Sequence, residues 1–424
     1  MSIPSDPALI AITYGYSRDH REDLKQWMLA LATTPLGISH SLWRRNGKNI
    51  VRIRPFQIER FFARYEFRAP YLLSSSDCEA LSVQELLSLE EEAAEQFQHH
   101  WLGYTESQGS PELRQAITML YQSINEEQVL VHTGAEEAIF TFMNAILERN
   151  DHIIVHFPCY QSLFEVANAI GCEVTLWETH EENGWELDLD RLRQSMKGNT
   201  KAIIINCPHN PTGYLMSKTK QQRIIEIASE HQCIVFSDEV YRGLEQNPDE
   251  TLPAACDLYE HAVSLGVMSK TFGLPGLRIG WIATRNQQIY ASMATFKDYL
   301  TICNSAPSEF LATVALRNKS TIIARNKHII EENMHALNMF FETYHHLFNW
   351  TAPKAGSIAF PRIRFEQDIE QFCTDLVQKQ GVLLLPGTCY DFGHKHFRIG
   401  FGRKNMPECL GRLEAYIRNE PPAM

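Results

Sequence analysis

The stretch GVMSKTFGLPGLRIGW, running from Gly266 to Trp281, sets the reading of the whole chain. Lys270 leaves an apolar, strand-like run (Ala262 to Met268) and enters a Ser-Lys-Thr segment flanked by glycines, with Arg278 eight residues further on. A desolvated ammonium is costly, so a lysine at the mouth of a buried strand is expected to be paired or to have reacted. The glycines at 273, 276 and 280 follow no strand with GxGxxG spacing, which excludes a dinucleotide fingerprint.

Upstream, NCPHNPTG (Asn206 to Gly213) and FSDEVY (Phe236 to Tyr241) each follow an apolar run, 202–205 and 233–236. Polar clusters at the C-terminal ends of parallel strands face one crevice, where ligands bind. Asp238, a tyrosine three residues later, Asn210 before a Pro-Thr-Gly turn, and Lys270 together resemble the fold-type I pyridoxal-phosphate enzymes. The resemblance is specifically to the class I/II aminotransferases and extends from about Val51 to the C-terminus. It implies an α/β architecture: a large domain with a mostly parallel sheet flanked by helices, plus a smaller α/β domain.

The resemblance also implies roles. Lys270 would form the Schiff base with pyridoxal 5'-phosphate and then serve as the base that moves the substrate α-proton. Asp238 would keep the pyridine nitrogen protonated, since a buried opposite charge favours the charged form. Tyr241 and Asn210 would bond the ring oxygen, and Tyr160 would stack on the ring. Gly134, Ala135 and Glu136 open a helix after the short strand at 128–132, so their amides would receive the phosphate, with Arg278 as its planar clamp. Many family members carry serine or threonine three residues before the lysine; here that position is Val267, and Ser269 is the substitute donor. Arg398, in HFRIGF, matches the arginine that grips the substrate α-carboxylate. Tyr104, in the loop leading to the helix that begins at Pro111, would reach the cofactor phosphate of a partner subunit.

At 424 residues the chain predicts two or three domains. The resemblance divides it into an extension (1–50), an arm (51–81), a large cofactor-binding domain (82–322) and a small C-terminal domain (323–424). Apolar residues make up 44% and charged residues 21%, and a net charge of −12 with no basic stripe argues against a nucleic-acid surface. Ten cysteines lie without CxxC or zinc-ligand spacing, so neither a disulfide framework nor a metal site is signalled; His394 and His396 lack a third ligand. No apolar run reaches membrane-spanning length, and the N-terminus lacks the order of a secretory signal. A cytoplasmic homodimer is the expectation.

The extension contains an amphipathic helix over Arg21 to Thr33 and too many acids for a transit peptide. Residues Ile53 to Leu73 are rich in aromatics and arginines and are compatible both with an active-site lid and with simple helix packing. The run Ser74 to Glu79 reads as a loop that caps the next helix. Strands alternate with helices at 162–170, 173–177, around Asp190, 201–205 and 217–231, which predicts a sheet covered on both faces. A long helix over Ile322 to His346 bridges to the small domain.

The expected activity is transfer of an amino group from an L-amino acid to a 2-oxo acid. An amino-acid lyase, cyclase or oxidase on the same scaffold is the alternative, and a cofactor-binding regulator without turnover is a remote one. The residues do not specify which amino acid is used, because no second arginine for an acidic side chain is assignable.

Overall fold

The computed structural model describes residues 53–419. The helix expected at 21–33 therefore lies outside the described residues. Seven strands form the main sheet: β1 (Val129–His132), β2 (His152–Phe157), β3 (Glu173–Glu178), β4 (Thr200–Asn206), β5 (Ile234–Asp238), β6 (Ala262–Val267) and β7 (Gly280–Ala283). Their spatial order is β1-β7-β6-β5-β4-β2-β3, and only β7 runs antiparallel to its neighbours. The interior strands read as continuous apolar runs because both of their faces are covered. Along β2 and β4 the side chains alternate between two cores. Ile153, Val155, Ala202 and Ile204 pack on one side, and Ile154, Ile203 and Ile205 on the other.

The helices begin where short polar side chains satisfy their free N–H groups. Ser217 accepts from Lys220 N at the start of Lys218–Glu230, whose Ile224, Ile225, Ile227 and Ala228 are buried. Proline opens Pro111–Thr118 at the position where its missing donor costs nothing. The long helix spans Lys319–Thr343, about 37 Å at 1.5 Å per residue. Beyond it, Ile358–Ala359, Phe397–Gly400 and Leu385–Pro386 build a small antiparallel sheet flanked by Ile369–Gln380 and Met406–Asn419. Tyr71–Leu72 pairs in parallel with Val382–Leu383, so the arm is stitched to the C-terminal region.

Two boundaries shift in ways that matter for the site. β5 extends to Asp238, and Asn206 at the end of β4 is its register partner, so both side chains sit at the same sheet edge. The helix after the serine run is capped by Ser82, which forms a capping box with Glu85, not by residues 74–79 as expected. That serine run is instead turned into the cavity at the sheet edge.

Candidate active site

A cavity of about 390 Å³ opens at the C-terminal ends of β4, β5 and β6. Ala135, Glu136, Tyr160, Asn210, Asp238, Tyr241, Ser269, Lys270, Arg278 and Arg398 all line it. Gly134 touches it from behind through Arg278. Tyr104 does not line it; its side chain is 89% exposed on the same protomer.

Asp238 is buried, and its carboxylate accepts one hydrogen bond, from Val240 N at 3.3 Å. Desolvation pushes the carboxyl up to about 7, resisted by that amide and by Lys270. The Lys270 amine donates to Ser76 Oγ at 2.8 Å. Burial, helped by the Arg398 cation, pulls the Lys270 ammonium below its ordinary range, while Asp77 and Asp238 hold it up.

The end of the cavity opposite Arg398 is a cradle built for close approach. Gly134 has φ +84°, and a Cβ there would lie 2.4 Å from Arg278 Nη2. A Cβ on Gly280 would lie 2.7 Å from the Gly134 carbonyl carbon. The guanidinium is thus pressed against the turn that starts helix Ala135–Ile146, where amides and helix dipole both favour an anion. Arg278 itself adopts φ +52°, strained for a residue with a Cβ, and its Nη1 lies 3.5 Å from Ser269 Oγ. Val267 is buried at the cavity wall, where a hydroxyl donor is absent.

At the other end Arg398 is 2% exposed and held in a fixed fork. Its Nη2 and Nε donate to Ser74 O at 2.8 and 3.2 Å, and its Nη1 donates to Tyr390 Oη at 2.6 Å. Tyr390 Oη in turn donates to Asn210 Oδ1 at 2.9 Å, and Asn210 N donates to Asn206 Oδ1 at 2.7 Å. Tyr241 Oη donates to Ser76 O at 3.2 Å. The serine run, Asn206 and Tyr390 therefore belong to the site although they carried no assignment from sequence. The serine-rich composition at 74–76 was the available signal, and helix capping accounts for such a composition equally well. Helix Gln57–Tyr65 closes the top of the cavity with Ile58, Glu59 and Phe62, followed by Glu66. Of the two readings of the arm, its position fits the lid.

This set fits pyridoxal phosphate. A phosphate suits the Gly134–Arg278 cradle, a protonated ring nitrogen suits the under-partnered Asp238, and an aldehyde carbon suits the Lys270 amine. Among the described residues no cluster of histidine, cysteine or acidic side chains could hold a metal ion, and no helix is long and apolar enough to cross a membrane.

Fold and cradle together define a fold-type I pyridoxal-phosphate enzyme. The chain belongs to the aminotransferase class I and II family, whose pattern matches residues 71–413. It is 28% identical over 295 residues to capreomycidine synthase of Streptomyces vinaceus, covering 70% of this chain and 75% of that protein. Among solved structures it resembles a pyridoxal-phosphate-dependent aminotransferase from Streptococcus suis 89-1591, with a TM-score of 0.82, 33% identity, and 87% and 98% of the two chains covered. It also resembles the pyridoxal-phosphate-dependent cyclase OrfR, with a TM-score of 0.80, 28% identity, and 89% and 99% covered.

Proposed function

We propose that this protein is an amino-acid aminotransferase in which Lys270 holds the cofactor and moves the substrate proton. The observation that carries the reading is the line from Lys270 to Arg398: a single desolvated amine and a buried guanidinium fork on one cavity, with Ser76 and Tyr241 between them. When bound, the cofactor supplies an electron sink that acidifies the bond between the substrate α-carbon and its hydrogen.

The chain's own groups do the rest. Arg398 binds the substrate α-carboxylate through a planar pair that Ser74 O and Tyr390 Oη keep in orientation. That grip places the α-hydrogen beside Lys270 Nζ. Burial pulls the ammonium below its ordinary range, so the free amine can take the proton from the α-carbon and return it to the cofactor carbon on the other side of the amino nitrogen. Asp238 keeps the ring nitrogen protonated, Tyr241 and Asn210 orient the ring oxygen, and Tyr160 fixes the ring plane. The Gly134, Ala135 and Glu136 amides, Ser269 and Arg278 hold the phosphate. Residues 82–322 form the cofactor-binding domain of this reading, and 323–424 carry the carboxylate clamp. We place the enzyme in the cytoplasm as a homodimer with shared sites, supported by ten free thiols and the exposed Tyr104.

A second reading has its own support: capreomycidine synthase and OrfR are named a synthase and a cyclase, and Ser76 Oγ on the Lys270 amine offers a second proton carrier. Single-turnover reaction with a panel of amino acids, without any oxo acid, separates the two. Transamination must stop after one equivalent of oxo acid, with the cofactor absorbance converted and then restored by adding an oxo acid. Continuous product formation with the original band retained rejects transamination in favour of elimination or cyclisation.

A further inference from the structure

Nine charged side chains line the cavity: Glu59, Glu66, Asp77, Glu136, Asp238, Lys270, Arg278, Arg398 and Arg403. Most are already engaged. Asp77 takes Arg403 in a two-pronged pair, with Nη2 at 3.0 and 2.8 Å from its two oxygens. Glu136 stands beside the phosphate cradle in the field of Arg278, and burial pushes its carboxyl up to about 7. Asp238, Lys270, Arg278 and Arg398 have the roles given above.

Two carboxylates are left over, both presented by the lid. Glu59, Phe62 and Glu66 recur at i, i+3 and i+7, one face of a helix. Phe62 at their centre lies under the Arg398 guanidinium, 5.7 Å from ring to cation. The Glu59 carboxylate accepts only the Tyr160 hydroxyl, at 3.2 Å, and the Glu66 side chain has no hydrogen-bond or ion-pair partner among the described residues. The position of Glu66 is electrostatically poor. It sits at the C-terminal end of helix Gln57–Tyr65, where the dipole repels an anion. Desolvation, Glu59 and Asp77 raise its carboxyl above the ordinary range, and the fields of Arg403 and Arg398, both already engaged by other partners, only partly offset them. An unpaired anion in that place gains from any cation brought beside it.

We propose that the amino-acid substrate carries a positively charged side chain, an ammonium or guanidinium, and that Glu66 and Glu59 are the residues that select it. The proposal rests on Arg398 gripping the α-carboxylate, as read above. With that group fixed under Phe62, a side chain of three or four methylenes runs along the lid face, its apolar stem on Ile58 and Phe62 and its charged end between the two carboxylates. Such charge-assisted pairs discriminate strongly, because a neutral analogue leaves the carboxylates unpaired.

Equilibrium binding to the cofactor-loaded enzyme tests this, using α-methylornithine and its uncharged counterpart α-methylnorleucine. Neither has an α-hydrogen, so binding is read whether the enzyme transaminates or cyclises. The cationic analogue should bind at least tenfold more tightly at pH 7.5 and low salt. Glu66→Gln should lower the ratio of the two affinities about tenfold, and Glu59→Gln should lower it less because the amide can still accept from Tyr160. Both are near-isosteric changes on a partly exposed lid, and circular dichroism confirms the fold. Equal binding of the two analogues, or a ratio that survives both substitutions, overturns the proposal alone. Binding of neither overturns it together with the carboxylate role of Arg398.

Discussion

Asp238 is an acid whose surroundings oppose its own charge. An ordinary carboxyl titrates near 3.8, but desolvation raises this one to about 7, so folding without cofactor takes up a proton between those values. Asp238 thus contributes most below the unfolded value, and its contribution is lost as pH rises through about 7. Asp238→Asn should therefore make the cofactor-free protein more stable than wild type at pH 8.5 and by a smaller margin at pH 5.5, a swing of about 2 kcal/mol, with parity only below the unfolded value. Glu136 is raised into the same window and is present in both proteins, and its charge is one of the smaller causes of the Asp238 shift. Thermal melts of the two cofactor-free proteins at each pH measure the swing, and a difference independent of pH would show that Asp238 is not neutralised by burial. The cofactor-loaded variant should be the weaker of the two loaded proteins, because the ring nitrogen loses its counter-charge.

The turn from β1 into helix Ala135–Ile146 shows how one element converts backbone geometry into a binding site. Gly134 tolerates φ +84° and leaves room for Arg278; an alanine would meet strain and the guanidinium together. Gly134→Ala should loosen the cofactor at least tenfold, measured by equilibrium dialysis, at a stability cost of about 1 kcal/mol. Retention like wild type would mean that the phosphate is held elsewhere. This turn was legible in the sequence because a glycine between a short apolar strand and a helix start marks a tight turn with free amides. So was the sheet, since β4, β5 and β6 each end in a polar cluster. The alternation of Ile203, Ile204 and Ile205 between two cores also follows from a strand covered on both faces. The serine loop was not legible: Ser74 to Ser76 meet Arg398, Tyr241 and Lys270 across roughly 170 to 320 residues of chain, and no local period encodes such contacts. Glu66 was hidden for a related reason, since a glutamate after an amphipathic helix ordinarily faces water.

At the scale of the whole molecule, the described protomer holds every assigned site residue on one cavity except Gly134, which backs it through Arg278, and Tyr104. Trp101, Leu102 and Tyr104 project together, each more than three-quarters exposed, as a cluster of large apolar side chains. Burial against a second copy would remove that cost in water, and a hydroxyl delivered there would complete the partner's phosphate cradle. Cofactor binding would then depend on assembly. Tyr104→Phe should loosen the cofactor without lowering the melting temperature of the cofactor-free protein, because its side chain packs against little in its own protomer. Mixing Tyr104→Phe with Lys270→Ala makes the test directional. If the hydroxyl acts across the interface, each heterodimer joins an intact Lys270 with an intact Tyr104 in one of its two sites. A fully exchanged equal mixture should then recover activity in about one quarter of all sites, read at limiting cofactor. If the hydroxyl acts within its own subunit, no site in the mixture is whole. Demonstrated subunit exchange without recovery would therefore place Tyr104 outside the partner's cradle.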